Sequence, residues 1–378
     1  MTSLPPVDTT VIVATHNRPD TLRQALRSVA MQRHRAWAAI VVGDACDERT
    51  QAVMAEFAHD PRFLYVNLAQ RCGEQALPNS AAMQVVGTEF VALLNHDDLW
   101  LPDHLTIALE RLRSTGHEFF LGRAVRCHDG TMGPDGEWSP QFERASPVDR
   151  SWDEAFWQSL EYVEPASSWV LRREWALQVG PWRPAVALYR APLQEWFLRA
   201  WRTGARLVSD PRITCIKFGV HHRTPPGKRS YDSHAAVHEA LVRRMQRWEQ
   251  APAGMLRDHH GDPPGLPLAR PWGSVIRPLP GPRSLAWWAE QVLRWRWVGE
   301  LYRRRGWDAA TPFSRGLGAT PGHHLRRMLM RRTGETLRTP PTLQAVVDEL
   351  LAARHRTPDW CGWVEASTPT PPWIARPS

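Results

Sequence analysis

No cysteine framework organises this chain. Its five cysteines, Cys46, Cys72, Cys127, Cys215 and Cys361, are odd in number and far apart, which excludes a disulfide scaffold and a zinc knuckle and makes reduced thiols the default. No stretch approaches the roughly 18 apolar residues of a membrane span, and no charged start followed by an apolar run marks a secretory leader, so the expected location is cytoplasmic. Neither GxGxxG nor GxxxxGK[ST] occurs, which disfavours a dinucleotide fold and a P-loop NTPase. Acidic charge is scarce late in the chain. Residues 224–378 hold 23 Lys and Arg against 13 Asp and Glu, a balance of +10, while residues 1–223 stand at −2. A basic surface of that kind suits anionic partners, although a solvated arginine-rich face explains any single cluster equally well. No recognised nucleic-acid module accompanies it, so nucleic acid is not expected as a partner.

What remains is a chain of 378 residues, 43% hydrophobic and 23% charged, with room for one large domain or two smaller ones. Its first half alternates apolar runs with amphipathic stretches. Thr10–Ala14, Ala38–Val42, Phe63–Asn67 and Phe90–Leu94 predict buried strands, and Asp20–Ala30, Glu48–Phe57, Asn79–Val86 and Leu101–Ser114 predict the helices between and after them. The β-α repeat implies parallel strands with right-handed crossovers.

Polar residues collect where those strands end. Thr15-His16-Asn17-Arg18-Pro19 follows the first strand, Asp44 follows the second, and Asn95-His96-Asp97-Asp98 follows the strand Phe90–Leu94, before Pro102. Ligands of open α/β sheets bind outside the carboxyl ends of the strands, where adjacent carboxylates can hold a hard divalent cation against a phosphorylated ligand. The His16 ring offers a face for a nucleobase, and Asp44 can accept from a base N–H or a ribose hydroxyl. Asp is equally common in turns and N-caps, Asp20 and Asp47 are placed as N-caps, and a lone His in a loop is often incidental.

Three segments in order, TVIVATHNRPDTLRQALRSVAMQ, AAIVVGDACD and GTEFVALLNHDDLWLPDHL, resemble the nucleotide-sugar-binding half of the family 2 glycosyltransferases, over about Thr9 to His221. The resemblance implies a GT-A fold, an α/β protein with a mostly parallel sheet flanked by helices, in residues 1–223, divided into a nucleotide-sugar half, 1–115, and an acceptor half, 116–223. It implies a donor site drawn from Thr15, His16, Arg18, Asp44, Asn79, Asn95 and His96. The family's Asp-x-Asp segment stands here as Asn95-His96-Asp97, so the resemblance implies Asp97, with Asp98 and His221 after the last strand, as the ligand set of Mn²⁺ or Mg²⁺. The donor would be a UDP-, dTDP- or GDP-sugar and the acceptor a glycan, lipid-linked sugar, peptide or natural product. The implied reaction is inverting, and at the helix start Leu193–Arg199 the one acid, Glu195, is the candidate base; a first-turn glutamate favoured by the helix dipole is its alternative. The chain departs from the family pattern in Asn95 for the first acid, Leu77-Pro78-Asn79 where an arginine is common, Leu193 at the usual base position and Gly219 for an arginine. Those departures leave a second reading open, a protein that kept the fold and nucleotide binding but lost turnover.

Residues 224–378 predict a basic, mainly helical extension rich in Pro, Trp and Arg, with helices at Ser233–Gln250, Leu285–Arg305, His323–Arg332 and Leu343–Arg354. Leu285–Arg305 interleaves tryptophan with arginine, which suits either peripheral contact with an anionic membrane or packing against the first domain.

Overall fold

A computed structural model of the chain describes residues 6–132, 138–145, 165–184, 192–204, 206–218, 235–249 and 340–363. The expected helices Leu285–Arg305 and His323–Arg332, and His221, lie outside those residues.

The strands are β1 (Thr9–Thr15), β2 (Trp37–Gly43), β3 (Phe63–Asn67), β4 (Phe90–Leu93), β5 (Leu99–Trp100), β6 (Phe119–Met132), β7 (Trp138–Ala145), β8 (Trp169–Arg172) and β9 (Leu207–Phe218). They form one sheet in the order β3-β2-β1-β4-β8-β6-β9-β5, with β7 paired to β6. The pairings β1·β2, β2·β3, β1·β4 and β6·β9 are parallel and the rest antiparallel, so six of the nine strands run one way. This is the mostly parallel α/β sheet expected.

The helices are α1 (Pro19–Ala30), α2 (Glu48–Glu56), α3 (Ala76–Val85), α4 (His104–Thr115), α5 (Arg173–Val179), α6 (Pro192–Arg202), α7 (Ala235–Glu249) and α8 (Leu343–Arg356). Side chains alternate between the two faces of a strand, and the core divides accordingly. Val11 and Val13 of β1 pack with Ala39, Val41 and the apolar stripes of α1, α2 and α4. Ile12 packs with Ile40, Val42, Val91 and residues of α3, α5, α6 and α8. Strands buried on both faces are what continuous runs such as TVIVA encode.

Element ends differ from expectation for local reasons. Pro19 takes the first helical position of α1, where its fixed φ suits the turn, so Asp20 falls inside the first turn and does not cap. Asp47 does cap α2, accepting from the Thr50 amide. Helix α3 starts three residues early because Pro78, in the first turn, gives up an N–H that has no helical partner anyway. Strand β9 runs unbroken from Leu207 to Phe218, and its register against β6 slips midway. The two-residue β5 gave no periodic signal.

Two helices of the basic extension pack on this sheet domain, α7 against α1 and α8 against α3. Among the described residues no helix is long and apolar enough to cross a membrane.

Candidate active site

Strand β1 has β2 on one side and β4 on the other, so the chain's order reverses there and a crevice opens past the carboxyl ends. Register brings the loops level. Thr15 pairs with Gly43, so His16 and Asp44 leave the sheet side by side, and Ile12 pairs with Leu93, which sends Asn95-His96-Asp97 out beside Ala14. Hydrogen bonds tie the three loops together. His16 Nδ1 donates to the Asp44 carbonyl at 2.8 Å, the Asp47 amide donates to Asn17 Oδ1 at 2.8 Å, and His96 Nδ1 donates to the Ala14 carbonyl at 3.2 Å. A carbonyl only accepts, so each ring carries a proton on Nδ1. Asn17 and Ala45 both have left-handed backbones, φ 47° and 52°, a conformation that costs non-glycine residues energy and often marks ligand sites.

Asp44 is 4% exposed and accepts the backbone N–H groups of Cys72 and Gly73, the latter at 2.9 Å. A carboxylate offers about four acceptor positions, so lone pairs remain for a base or ribose. Gly43 is required beneath it, because a Cβ there would lie 2.6 Å from Asn67 Oδ1, the oxygen that accepts from the Cys46 amide. Thr15 Oγ1 and Asn79 Oδ1 are buried and have no hydrogen-bond partner. Arg18 sits close enough that its charge helps lower the His96 pKa, although burial is the larger cause.

The two adjacent acids have opposite surroundings. Asp98 is fully buried, and every contact of its carboxylate is a donor: Ser167 Oγ at 2.5 Å, Asn95 Nδ2 at 3.0 Å, the Phe218 amide at 3.1 Å and Lys217 Nζ at 3.1 Å. Burial pushes its pKa up, but a set made wholly of donors, one an ammonium, keeps it ionised. It is an anchor, and the expectation that Asp98 ligates a metal does not fit a carboxylate already saturated. Asn95, in place of the family's first acid, is one of its donors.

Asp97 is partly exposed. Burial opposes its charge, but Lys217, His96 and His238 outweigh that and hold its pKa below the usual carboxylate range. His238, on α7, stacks on Phe218 with 3.6 Å between centroids, and its Nε2 is 2.9 Å from the Asp97 carbonyl. Neither Lys217 nor His238 was anticipated, and both reach the site through long-range packing.

The implied cation has one available carboxylate here. Among the described residues no three His, Cys, Asp or Glu side chains are grouped as a metal site. One carboxylate together with substrate phosphate oxygens is nevertheless a donor set that Mg²⁺ commonly uses, so Asp97 fits as the single protein ligand of an ion that arrives with a diphosphate.

Glu195 is committed to an ion pair. It is fully buried in α6, and its two oxygens accept from Arg199 Nε and Nη2, both at 3.0 Å, with Arg183 Nε at 3.7 Å. Arg199 also donates to the carbonyls of Val179 and Pro181 at 2.7 Å. The pair clamps α6 to the turn after α5. A base needs a free lone pair facing its substrate, and this fork leaves Glu195 poorly placed for that part. A cavity of about 690 Å³ lies at the opposite, amino-terminal edge of β4 and β6, lined by Thr88, Glu89, Glu118, Arg172 and Arg206. Arg172 pairs there with Glu89 and Arg206 with Glu118, while Arg173, also in the lining, donates to the Met83 and Gln84 carbonyls, and none of the predicted site residues borders it.

Residues 10–179 match the model of glycosyl transferase family 2. By that match this segment, a little under half of the chain, is a glycosyl transferase family 2 domain. The match ends short of His221, where the resemblance in sequence was expected to run. TuaG of Bacillus subtilis (strain 168), named as a teichuronic acid biosynthesis glycosyltransferase, is 30% identical over 123 residues, 32% of this chain and 48% of TuaG. WcaA of Escherichia coli (strain K12), named as a colanic acid biosynthesis glycosyl transferase, is 30% identical over 119 residues, 31% of this chain and 42% of WcaA. The chain thus spans about half the length of the curated relatives it matches, or less. A solved structure of S. aureus TarS 1-349 in complex with UDP-GlcNAc is 15% identical, with a TM-score of 0.45 over 63% of this chain and 66% of that one, a likeness too loose to add to the fold seen here. Within the glycosyltransferase domain, the loops after β1, β2 and β4 carry all three motifs that resemble the family.

Proposed function

We propose that the chain transfers a sugar from a nucleoside diphosphate donor to an acceptor hydroxyl, with inversion, and binds the donor in the crevice past β1, β2 and β4. The observation that carries this reading is the convergence of His16, Asp44, His96 and Asp97 on that one edge, beside two strained backbone positions. In this reading Asp44, steadied by the Cys72 and Gly73 amides, accepts from the nucleobase, and the His16 ring lies against it. Thr15 and Asn79 bring unpaired buried oxygens that a ribose or phosphate-bound water would satisfy. Asp97 would hold Mn²⁺ or Mg²⁺, which supplies positive charge to the departing diphosphate. The extension beyond residue 223 braces the domain through α7 and α8. Relatives named for teichuronic and colanic acid biosynthesis favour a glycan acceptor over a peptide or natural product.

Incubation with UDP-, dTDP- and GDP-sugars, with and without Mn²⁺, tests this by nucleotide release. One donor is expected to turn over, and Asp97→Asn is expected to lower its rate by about a hundredfold or more, the usual scale for losing a group that stabilises leaving-group charge. Release that is absent from every donor, or indifferent to Asp97→Asn, overturns the reading. The clamped Glu195 and the Asn95 substitution favour one other reading, a nucleotide-binding protein without turnover. Calorimetry showing tight nucleotide binding beside silent kinetics would establish it.

A further inference from the structure

We propose that Lys217 is the fixed positive group that receives the donor's diphosphate: its ammonium, at the end of β9 beside Asp97, donates to a phosphate oxygen. The inference rests on the donor-site reading above. Lys217 is one of only two lysines in a chain whose other 45 Lys and Arg residues are all arginine, and it is the only lysine among the described residues. Arginine supplies the forked pairs of this chain, as Arg199 does with Glu195 and Arg212 with Asp210. A fork at position 217 would engage both oxygens of Asp98 and turn its remaining N–H groups away from them. An ammonium is a compact point charge with three donors that can radiate to different partners.

The geometry leaves such a donor over. Lys217 Nζ lies 3.1 and 3.3 Å from the two oxygens of Asp98, which already has Ser167, Asn95 and the Phe218 amide as donors. Asp97 Oδ1 is 4.0 Å away, beyond hydrogen-bond range. Asp98 therefore fixes the ammonium without exhausting it, and the remaining N–H stands next to the carboxylate that faces the donor. Burial opposes the charge on Lys217, but Asp98 and Asp97 outweigh it and push its pKa up, so the charge is permanent at any physiological pH. A charge fixed before the ligand arrives needs no reorganisation when the diphosphate binds. The Nδ1–H groups of His16 and His96 do not duplicate it, since they are spent on the Asp44 and Ala14 carbonyls.

Calorimetry on the full chain in EDTA, with UDP, GDP and dTDP and with uridine, guanosine and thymidine, separates this role from a purely structural one. The wild type is expected to bind one of the diphosphates, and Lys217→Gln to bind that diphosphate at least about tenfold more weakly while binding its nucleoside as before. Lys217→Arg is expected to recover part of the loss. Because Lys217→Gln strands the buried Asp98, the double variant D98N/K217Q repeats the measurement with both charges removed, and it should show the same selective loss. Equal binding of the diphosphate by wild type and variants overturns the proposal, as does a loss shared equally by nucleoside and diphosphate. A wild type that binds none of the three diphosphates overturns the donor-site reading itself, and this inference with it.

Discussion

Glu195 has no exposed surface and gives both oxygens to one guanidinium, and the test of its role separates an anchor from a base. As an anchor, Glu195→Gln leaves Arg199 half-paired at a buried position and should cost about 3 kcal/mol of stability. The double variant E195M/R199M removes both charges and should recover most of that loss, together with any nucleotide-release activity. As a base, the single variant would melt with the wild type and the double would stay inactive. Differential scanning of the three proteins decides between them, and an unchanged melting temperature for Glu195→Gln refutes the anchor. The clue was available in the chain: a Glu followed four residues later by an Arg, on a helix, is a pairing pattern before it is anything else. Asp97 and Asp98 were equally legible as acids past a strand end but not as two different acids, because most of the donors that bury Asp98, namely Ser167, Lys217 and the Phe218 amide, come from distant parts of the chain. Lys217 gave no warning, since its approach to Asp98 crosses 119 positions and depends on β5 pairing with β9.

At the scale of elements, the strands and helices of the first half were legible from apolar runs and periodicity, down to both ends of β3. The amphipathic stretch that became α8 was legible too, but not where it docks. Val346, Val347 and Leu350 join the core cluster of α3, Glu349 Oε2 accepts from the Ala69 amide at 2.8 Å across 280 positions, and the Gly87 amide donates to the Gly362 carbonyl at 3.0 Å. Trp360 Nε1 donates to the Arg62 carbonyl at 2.9 Å, and its ring meets Trp363 edge-on at 4.9 Å. The segment thus holds Gly87, just after α3, and the loop before that helix, the loop whose Cys72 and Gly73 amides donate to Asp44. Trp360→Ala should cost about 3 kcal/mol, the usual scale for emptying a buried tryptophan site. Amide exchange should quicken first in α3 and residues 62–73, ahead of α1 and α4. Exchange that rises uniformly, or only in residues 340–363, would mean the clamp is a passive appendage.

At the scale of the whole molecule, one residue that couples stability to acid is one no motif singled out. His104 is fully buried, stacked on Trp100 with 4.4 Å between centroids and hydrogen-bonded through Nδ1 to Thr214 at 3.0 Å, while its Nε2 has no partner. Burial drives its pKa down from 6.5 to about 3. Above pH 6.5 the ring is neutral folded or unfolded, and the residue's contribution is fully present. As pH falls from 6.5 towards 3, the unfolded chain takes up a proton that the fold refuses, and stability drops by about 1.4 kcal/mol per pH unit. Between pH 7.5 and pH 5 this one ring should therefore remove about 2 kcal/mol. The carboxylates of Asp8, Asp60 and Asp210, held low by their arginine and histidine partners against the cost of burial, lose their contributions only further down, as pH falls through the acid range. His104→Phe keeps a flat ring against Trp100 and cannot titrate. Denaturant unfolding at pH 7.5 and pH 5 should show the wild type losing about 2 kcal/mol more than His104→Phe over that interval. Parallel losses in the two proteins would place the acid-sensitive group elsewhere, since a neutral ring in this pocket leaves no other source for the difference.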